Sequence, residues 1–290
     1  MSFDPRTTLA YNGAADSRLQ GLLAADRFAA ASPRQLVSPV AAILVKPQAS
    51  AEQVDQILFG ERFDVLETKG RFAFGQAVRD GYVGWVDLAH LSDAIATPTH
   101  WICAPSTLVF AEASIKTPSR GPVPLNALVT INEETEALAR DPRLGWIPRT
   151  HLLPIGTLLA DPVATALAFL GAPYLWGGRG GGGIDCSGLV QQALLACGQS
   201  CPRDSDQQET IGEPAAEAAL TRGDLVFWKD HVAMMIDAKR MVHANAFHMA
   251  VAVEPLAKAR ARISKLGGEP IAFRRLGVRP RTPGIRRRKL

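Results

Sequence analysis

The sequence predicts an α+β protein in which two small all-β units precede a domain of helices followed by strands. Three features predict it. Over residues 38–152 short apolar runs are broken by Gly, Pro and Asp, the texture of brief strands and turns. A degenerate repeat of about sixty residues recurs inside that stretch. From Leu153 onward the pattern changes, with two helical periods first and several strand runs after them.

Residues 1–37 hold one expected helix, residues 16–28, with Leu19, Leu22, Leu23 and Ala25 on one face. The first β unit, residues 38–95, contains VAAILVKPQ (40–48) and GYVGWVDLAHL (81–91). The second, residues 96–153, echoes them with TLVFAEAS (107–114) and RLGWIPRTHL (143–152). Gly84-Trp85-Val86 thus corresponds to Gly145-Trp146-Ile147. Each copy is the size of a small barrel, marginal alone and expected to pack on a neighbour. A third unit, residues 154–278, opens with Asp161 as N-cap and Pro162 at the first helical position, and Gly171 ends that helix. A glycine-rich loop, residues 177–183, leads into a second helix over 186–197 closed by Gly198. Strands are expected at 224–228, 232–236, 241–246 and 269–276, and residues 279–290 form a basic tail.

Composition narrows the class. Apolar residues make up 47% and charged residues 21%, the mix of a soluble globular chain. The net charge of +4 owes much to the end of the chain, where Arg274, Arg275, Arg279, Arg281, Arg286, Arg287, Arg288 and Lys289 meet no acid. No aromatic residue interleaves them after Phe273, so the tail reads as a solvated segment and no nucleic-acid partner is expected. The N-terminus lacks the basic and apolar regions of a signal peptide, and no window is long and apolar enough for a membrane span, so a cytoplasmic protein is expected. Four cysteines fit a reduced chain without a disulfide framework. Cys197 and Cys201 match no zinc spacing, and the glycine loop lacks the Gly-Lys-Ser/Thr of a phosphate cradle, so neither metal nor cofactor is expected.

Cys186 sits at the start of the second helix, where Leu189, Val190, Ala193, Leu194 and Cys197 recur on its face. Free N–H groups and the positive helix end favour a thiolate there, whereas Cys197 sits at the opposite end. Position by itself leaves open that Cys186 packs as a small hydrophobe. A nucleophilic thiol needs a base, and of six histidines His90 and His151 belong to the repeat while His100 lies in a linker. His231 opens one strand and His243 lies in the next. A four-residue turn would put them on opposite faces; a three-residue turn over 237–239 sets them on one face within reach.

The segments PYLWGGRGGGGIDCSGLVQ, PRDSDQQ, RGDLVFW, DHVAMMID and MVHANA, in that order, resemble the NlpC-type cell-wall cysteine peptidases, a papain-like family. The resemblance covers about residues 155–278, and the repeats before it resemble the SH3-like barrels that often precede this domain. The arrangement is most similar to the dipeptidyl-peptidase VI type of that family. It implies a nucleophile at Cys186, a base at His231 and an orienting residue at His243. It further implies a cut between γ-D-glutamate and meso-diaminopimelate or L-lysine, in peptidoglycan-derived peptides with a free N-terminal L-alanine. Tyr174 is expected to assist the Cys186 N–H at the oxyanion. Trp176, Ser187, Asp204 and Ser205 match cleft positions. Asp185 is an N-cap or a counter-charge for the substrate ammonium, with the second role implied by the resemblance. Tyr82 and Glu52 correspond to barrel residues that clamp the free amine, although Tyr82 suits a barrel core and Glu52 a solvated surface equally well. The competing readings are an endopeptidase acting on intact stem peptides and a non-hydrolytic wall-binding module.

Overall fold

A computed structural model describes residues 3–180 and 182–277. Most of the basic tail, from Arg279 onward, lies outside the described residues. No described helix is long and apolar enough to cross a membrane.

The segment expected as an N-terminal helix is built from strands and turns instead. Asp16 is buried and caps only the three-residue 3-10 turn Ser17–Leu19, accepting from the Arg18 N–H at 2.9 Å. Its other oxygen accepts from the Ala31 N–H. Gly21, at φ 80°, then turns the chain away, and Leu22 of the expected apolar face stands 61% exposed. Strands Ala14–Asp16 and Arg27–Ala29 pair in parallel. A buried carboxylate that holds two separate backbone segments outweighs helix propensity here.

In the first β unit a seven-stranded sheet runs in the order Leu91–Ser92, Ser32–Leu36, Arg62–Lys69, Phe72–Ala77, Val83–Asp87, Val40–Leu44, Gln53–Leu58. Its core gathers Leu36, Ile43, Ile57, Phe63, Val86 and the ring of Tyr82. In the second unit a five-stranded sheet includes Ser106–Phe110 and Gly145–Pro148, and a three-stranded sheet pairs His100–Ile102 with Leu128–Val129 and Leu152–Pro154. The repeat survives in side-chain detail. Ser38 Oγ meets His90 Nδ1 at 2.7 Å, and Thr107 Oγ1 meets His151 Nδ1 at 2.7 Å.

The units interlock. Phe59 of the first is buried in the core of the second, beside Ile102, Val129 and Ile147. Gly60 follows at φ 77°, where an added Cβ would lie 2.1 Å from the Leu128 carbonyl oxygen. Trp101 and Leu125 of the second unit pack into the core of the third.

That third unit has a six-stranded antiparallel sheet ordered Glu213–Pro214, Ala272–Arg275, Leu225–Trp228, His231–Met235, Arg240–Asn245, Ala250–Pro255. Among the described residues four α-helices accompany it: α1 (Pro162–Leu167), α2 (Cys186–Ala196), α3 (Ser205–Gln208) and α4 (Leu256–Gly267). Asp161 caps α1 by accepting from the Val163 and Ala164 N–H groups. The strand Ala250–Pro255 and helix α4 were not expected from the sequence. α2 is buried on nearly all sides, not along one stripe. Its polar face is covered by the β units: Gln191 Nε2 donates to Asp80 at 3.0 Å, and Asn126 Nδ2 donates to Gln192 Oε1 at 2.6 Å. The β units therefore hold the helix that starts at Cys186.

Candidate active site

Cys186 is the first residue of α2, and Asp185 caps the helix by accepting from the Gly188 N–H at 2.7 Å. Gly188 must be glycine in this packing, because a Cβ there would come 2.2 Å from the Gly178 carbonyl oxygen. The glycine loop and the helix start thus touch backbone to backbone. The Cys186 sulfur is buried and accepts from the backbone N–H groups of Val232 and Ser187. Val232 is the neighbour of His231, so the sulfur lies against the start of that strand.

Register brings the two histidines together. Met234 pairs with Val242 and Met235 with Met241, and the Ile236 N–H donates to the Arg240 carbonyl. The turn is therefore the three residues 237–239, and His231 and His243 share a face. His231 Nε2 lies 2.8 Å from His243 Nδ1. The other nitrogen of His243, Nε2, lies 2.9 Å from Glu254 Oε1. Arg262, on α4, also binds that oxygen. Glu254 has no counterpart among the expected site residues. It ends an alternating AVAVEP run whose lone acid, two strands on from His231, was its only sequence signal.

Burial sets the protonation of this chain. It pushes the Cys186 thiol up to about 12, with Asp185 adding to the rise against the two N–H donors and Arg203. It also pulls His231 down to about 3, with His243 contributing next. His243 is lowered by burial, while Glu254 opposes the shift. The helix position suggested a thiolate, but desolvation of the sulfur outweighs the helix field. The resting pair is a neutral thiol beside a neutral imidazole. Accordingly, the 240 nm thiolate absorbance of the protein at pH 7 is expected to match that of Cys186→Ala. A difference of one thiolate would show that Cys186 is ionised at rest. Cys197 is also a buried thiol, pushed up to about 11 by burial and accepting from Thr165.

The expected binding residues divide into two groups. Tyr174 lies near Cys186, and burial followed by the charge of a Cys186 thiolate raises its hydroxyl pKa. Trp176 is 55% exposed, and its Nε1 donates to Glu52 at 3.1 Å. Glu52 is itself exposed and is engaged there with Trp176. The Tyr82 ring sits in the barrel core while its hydroxyl donates to Asp204 Oδ2 at 3.1 Å. Ser205 begins α3 next to Asp204 and is partly exposed.

Asp185 and Ser187 belong to a buried network. Arg203 donates to Asp185 Oδ1 at 3.0 Å and Oδ2 at 2.7 Å, and to Ser187 Oγ at 2.8 Å. Its Nε pairs with Asp55 of the first β unit. Asp185 is therefore an N-cap and an ion-pair partner, and both its oxygens are engaged inside the protein. A direct counter-charge role for the substrate does not fit that engagement. Arg203 was missed because a lone arginine between Pro202 and Asp204 carries no sequence signal. A second residue, Arg6, was also missed. Its guanidinium binds Asp204 at 2.9 Å, and Asp206 and Asp4 as well, tying the N-terminal segment to α3.

His248 Nδ1 lies 2.9 Å from Asn245 Oδ1. Among the described residues His243, His248 and Glu254 bring donor atoms within 4.8 Å of one another. Arg262 already occupies the Glu254 carboxylate, so a metal ion there would sit against a guanidinium. His243 is instead hydrogen-bonded to Glu254, and His248 to Asn245.

Comparisons with known proteins agree with this fold. The NlpC/P60 family profile matches residues 171–262, and the profile described as bacterial dipeptidyl-peptidase Sh3 domain matches residues 43–91. The gamma-D-glutamyl-L-lysine dipeptidyl-peptidase of Bacillus cereus is 28% identical over 232 residues, covering 69% of this chain and 70% of that protein. Dipeptidyl-peptidase 6 of Lysinibacillus sphaericus is 42% identical over 86 residues, 29% of this chain and 31% of that protein. The crystal structure of an NlpC/P60 family protein from Bacillus cereus superposes with a TM-score of 0.71 at 22% identity. It covers 84% of this chain and 99% of the other, which shows the fold.

Proposed function

Because this chain carries an NlpC/P60 domain behind a bacterial dipeptidyl-peptidase SH3 domain, we propose that it hydrolyses the bond between γ-D-glutamate and a diamino acid in peptidoglycan-derived peptides. Cysteine peptidase is the general kind of enzyme in that family. The substrate we assign is a peptide with a free N-terminal L-alanine, followed by γ-D-glutamate and meso-diaminopimelate or L-lysine. Its place is in cytoplasmic recycling of wall peptides. The observation that carries the reading is the His231–His243 pair on the strand whose Val232 N–H donates to the buried Cys186 sulfur, together with the Tyr82–Asp204 hydrogen bond.

In this reading the Cys186 sulfur attacks the γ-carbonyl carbon as its proton passes to His231. The Cys186 backbone N–H, in the unpaired first turn of α2, and the Tyr174 hydroxyl receive the oxyanion. His231 then gives the proton to the leaving amine, and water hydrolyses the thioester with His231 again as base. The peptide's ammonium lies toward Tyr82 and Asp204, where Asp4, Asp204 and Asp206 outnumber the single Arg6. Asp185 and Ser187 act through Arg203, as the floor of the cleft. Trp176 and Glu52 flank its exposed mouth, and Ser205 lines it.

The test offers L-Ala-γ-D-Glu-diaminopimelate with its amine free or acetylated. Acetylation is expected to lower kcat/KM by about a hundredfold or more, because the amide brings no positive charge to carboxylates that Arg6 only partly offsets. Equal cleavage of both peptides would remove the amine subsite. Cleavage of neither, with Cys186 still reactive, would remove the peptidase assignment.

A further inference from the structure

Glu254 closes the hydrogen-bonded chain that begins at His231, and its chemistry fixes the direction of each bond along it. An ionised carboxylate only accepts. Burial raises the pKa of Glu254, but its bonds to His243 and Arg262 outweigh that, and it is held below the ordinary glutamate value. With Oε1 2.9 Å away, His243 must carry its hydrogen on Nε2. Its Nδ1 is then an acceptor and takes the Nε2–H of His231 at 2.8 Å. Nδ1 of His231 is left without a hydrogen, the lone pair that a thiol proton needs.

We propose that Glu254 is a positioning residue that sets the tautomers of His243 and His231 and holds the imidazolium charge formed when Cys186 gives up its proton. The proposal deepens the peptidase reading and rests on it for the role of Cys186. Among the described residues, the charged and titratable groups that act most strongly on the His243–His231 pair, besides the two rings themselves, are His248, Glu254 and Arg262. Of these only Glu254 is an anion, so it alone can offset a proton arriving on the histidine pair. Arg262 neutralises part of that charge and keeps the carboxylate ionised. An orienting carboxylate beyond the base is the logic of a nucleophile triad, here one histidine longer.

Two measurements on the whole protein, neither needing a substrate, test it. Nitrogen-15 NMR of the histidine rings at pH 7.5 is expected to show His231 and His243 both protonated on Nε2 alone. A hydrogen on Nδ1 of either neutral ring in the wild type would overturn the proposal. The rate of Cys186 alkylation by iodoacetamide at pH 7 is expected to fall about tenfold or more in Glu254→Gln. Arg262→Gln, which keeps the carboxylate, is expected to lose no more than about threefold. Equal losses in the two variants would make Glu254 only an anchor for Arg262 and α4, and an unchanged rate in Glu254→Gln would also overturn the proposal. If the wild type alkylates as expected but cleaves no peptide, the peptidase reading fails while the tautomer assignment stands.

Discussion

Replacing His231 by alanine is expected to lower kcat on a γ-D-glutamyl peptide by about a thousandfold or more at pH 7, with KM little changed. The size follows from the burial of the sulfur. With the thiol pushed up to about 12, the resting enzyme holds almost no thiolate at neutral pH. Attack therefore depends on a base that removes the proton as the bond forms, and general-base loss of this kind costs roughly 10²–10⁴. The same burial pulls His231 to about 3, so the base stays neutral well below the 6.5 of an exposed imidazole. The acid limb of kcat/KM is accordingly expected below pH 5. A limb near 6.5 would mean that His231 titrates like a solvated ring. A kcat in His231→Ala within tenfold of wild type would remove it as the base.

Replacing Arg203 by methionine is expected to cost about 3–5 kcal/mol of stability, read as a lower denaturant midpoint. Arg203 is fully buried and joins three elements: Asp55 of the first β unit, the Asp185 cap of α2, and Ser187 after the nucleophile candidate. Removing it leaves two buried carboxylates without their cation, and burial with Asp80 already pushes Asp55 up to about 8. Activity is expected to fall as well, since Asp185 fixes where α2 begins. The double variant Arg203→Met, Asp55→Leu is expected to recover part of the loss, because it removes one stranded charge. Failure to recover any would place the cost in packing rather than in charge burial. Arg6→Gln, a half-exposed pairing, is expected to stay within about 1 kcal/mol of wild type.

How much of this could be read from the sequence depended on whether the information was local. The N-cap and proline of α1, the glycine that closes α2 and the strand runs at 225–228, 231–235 and 240–245 are local signals, and the elements form there. The repeat showed itself through Trp85 and Trp146, and through His90 and His151, because both copies solve the same packing problem. Turn length predicted which register would let His231 and His243 meet, since side chains alternate along a strand. The residues 16–28 failed because Asp16 answers to Ala31, a contact that no helical periodicity encodes. Glu254, Arg203 and Arg6 escaped for the same reason. Each acts through a partner brought near only by the finished fold, across 11, 18 and 198 positions of chain. The burial of α2 on both faces was equally hidden, because Asp80 and Asn126 of the β units supply the polar cover.

The proposed chemistry turns on Cys186 as the reacting group. Its most direct test is brief treatment with limiting iodoacetamide, followed by peptide mapping and by peptidase assay of the same sample. Loss of activity is expected to follow carboxamidomethylation of Cys186 one for one, whatever the extent of modification at Cys103, Cys197 and Cys201. Full activity in a sample whose Cys186 is wholly alkylated would rule Cys186 out as the nucleophile, as would complete inactivation with Cys186 unmodified.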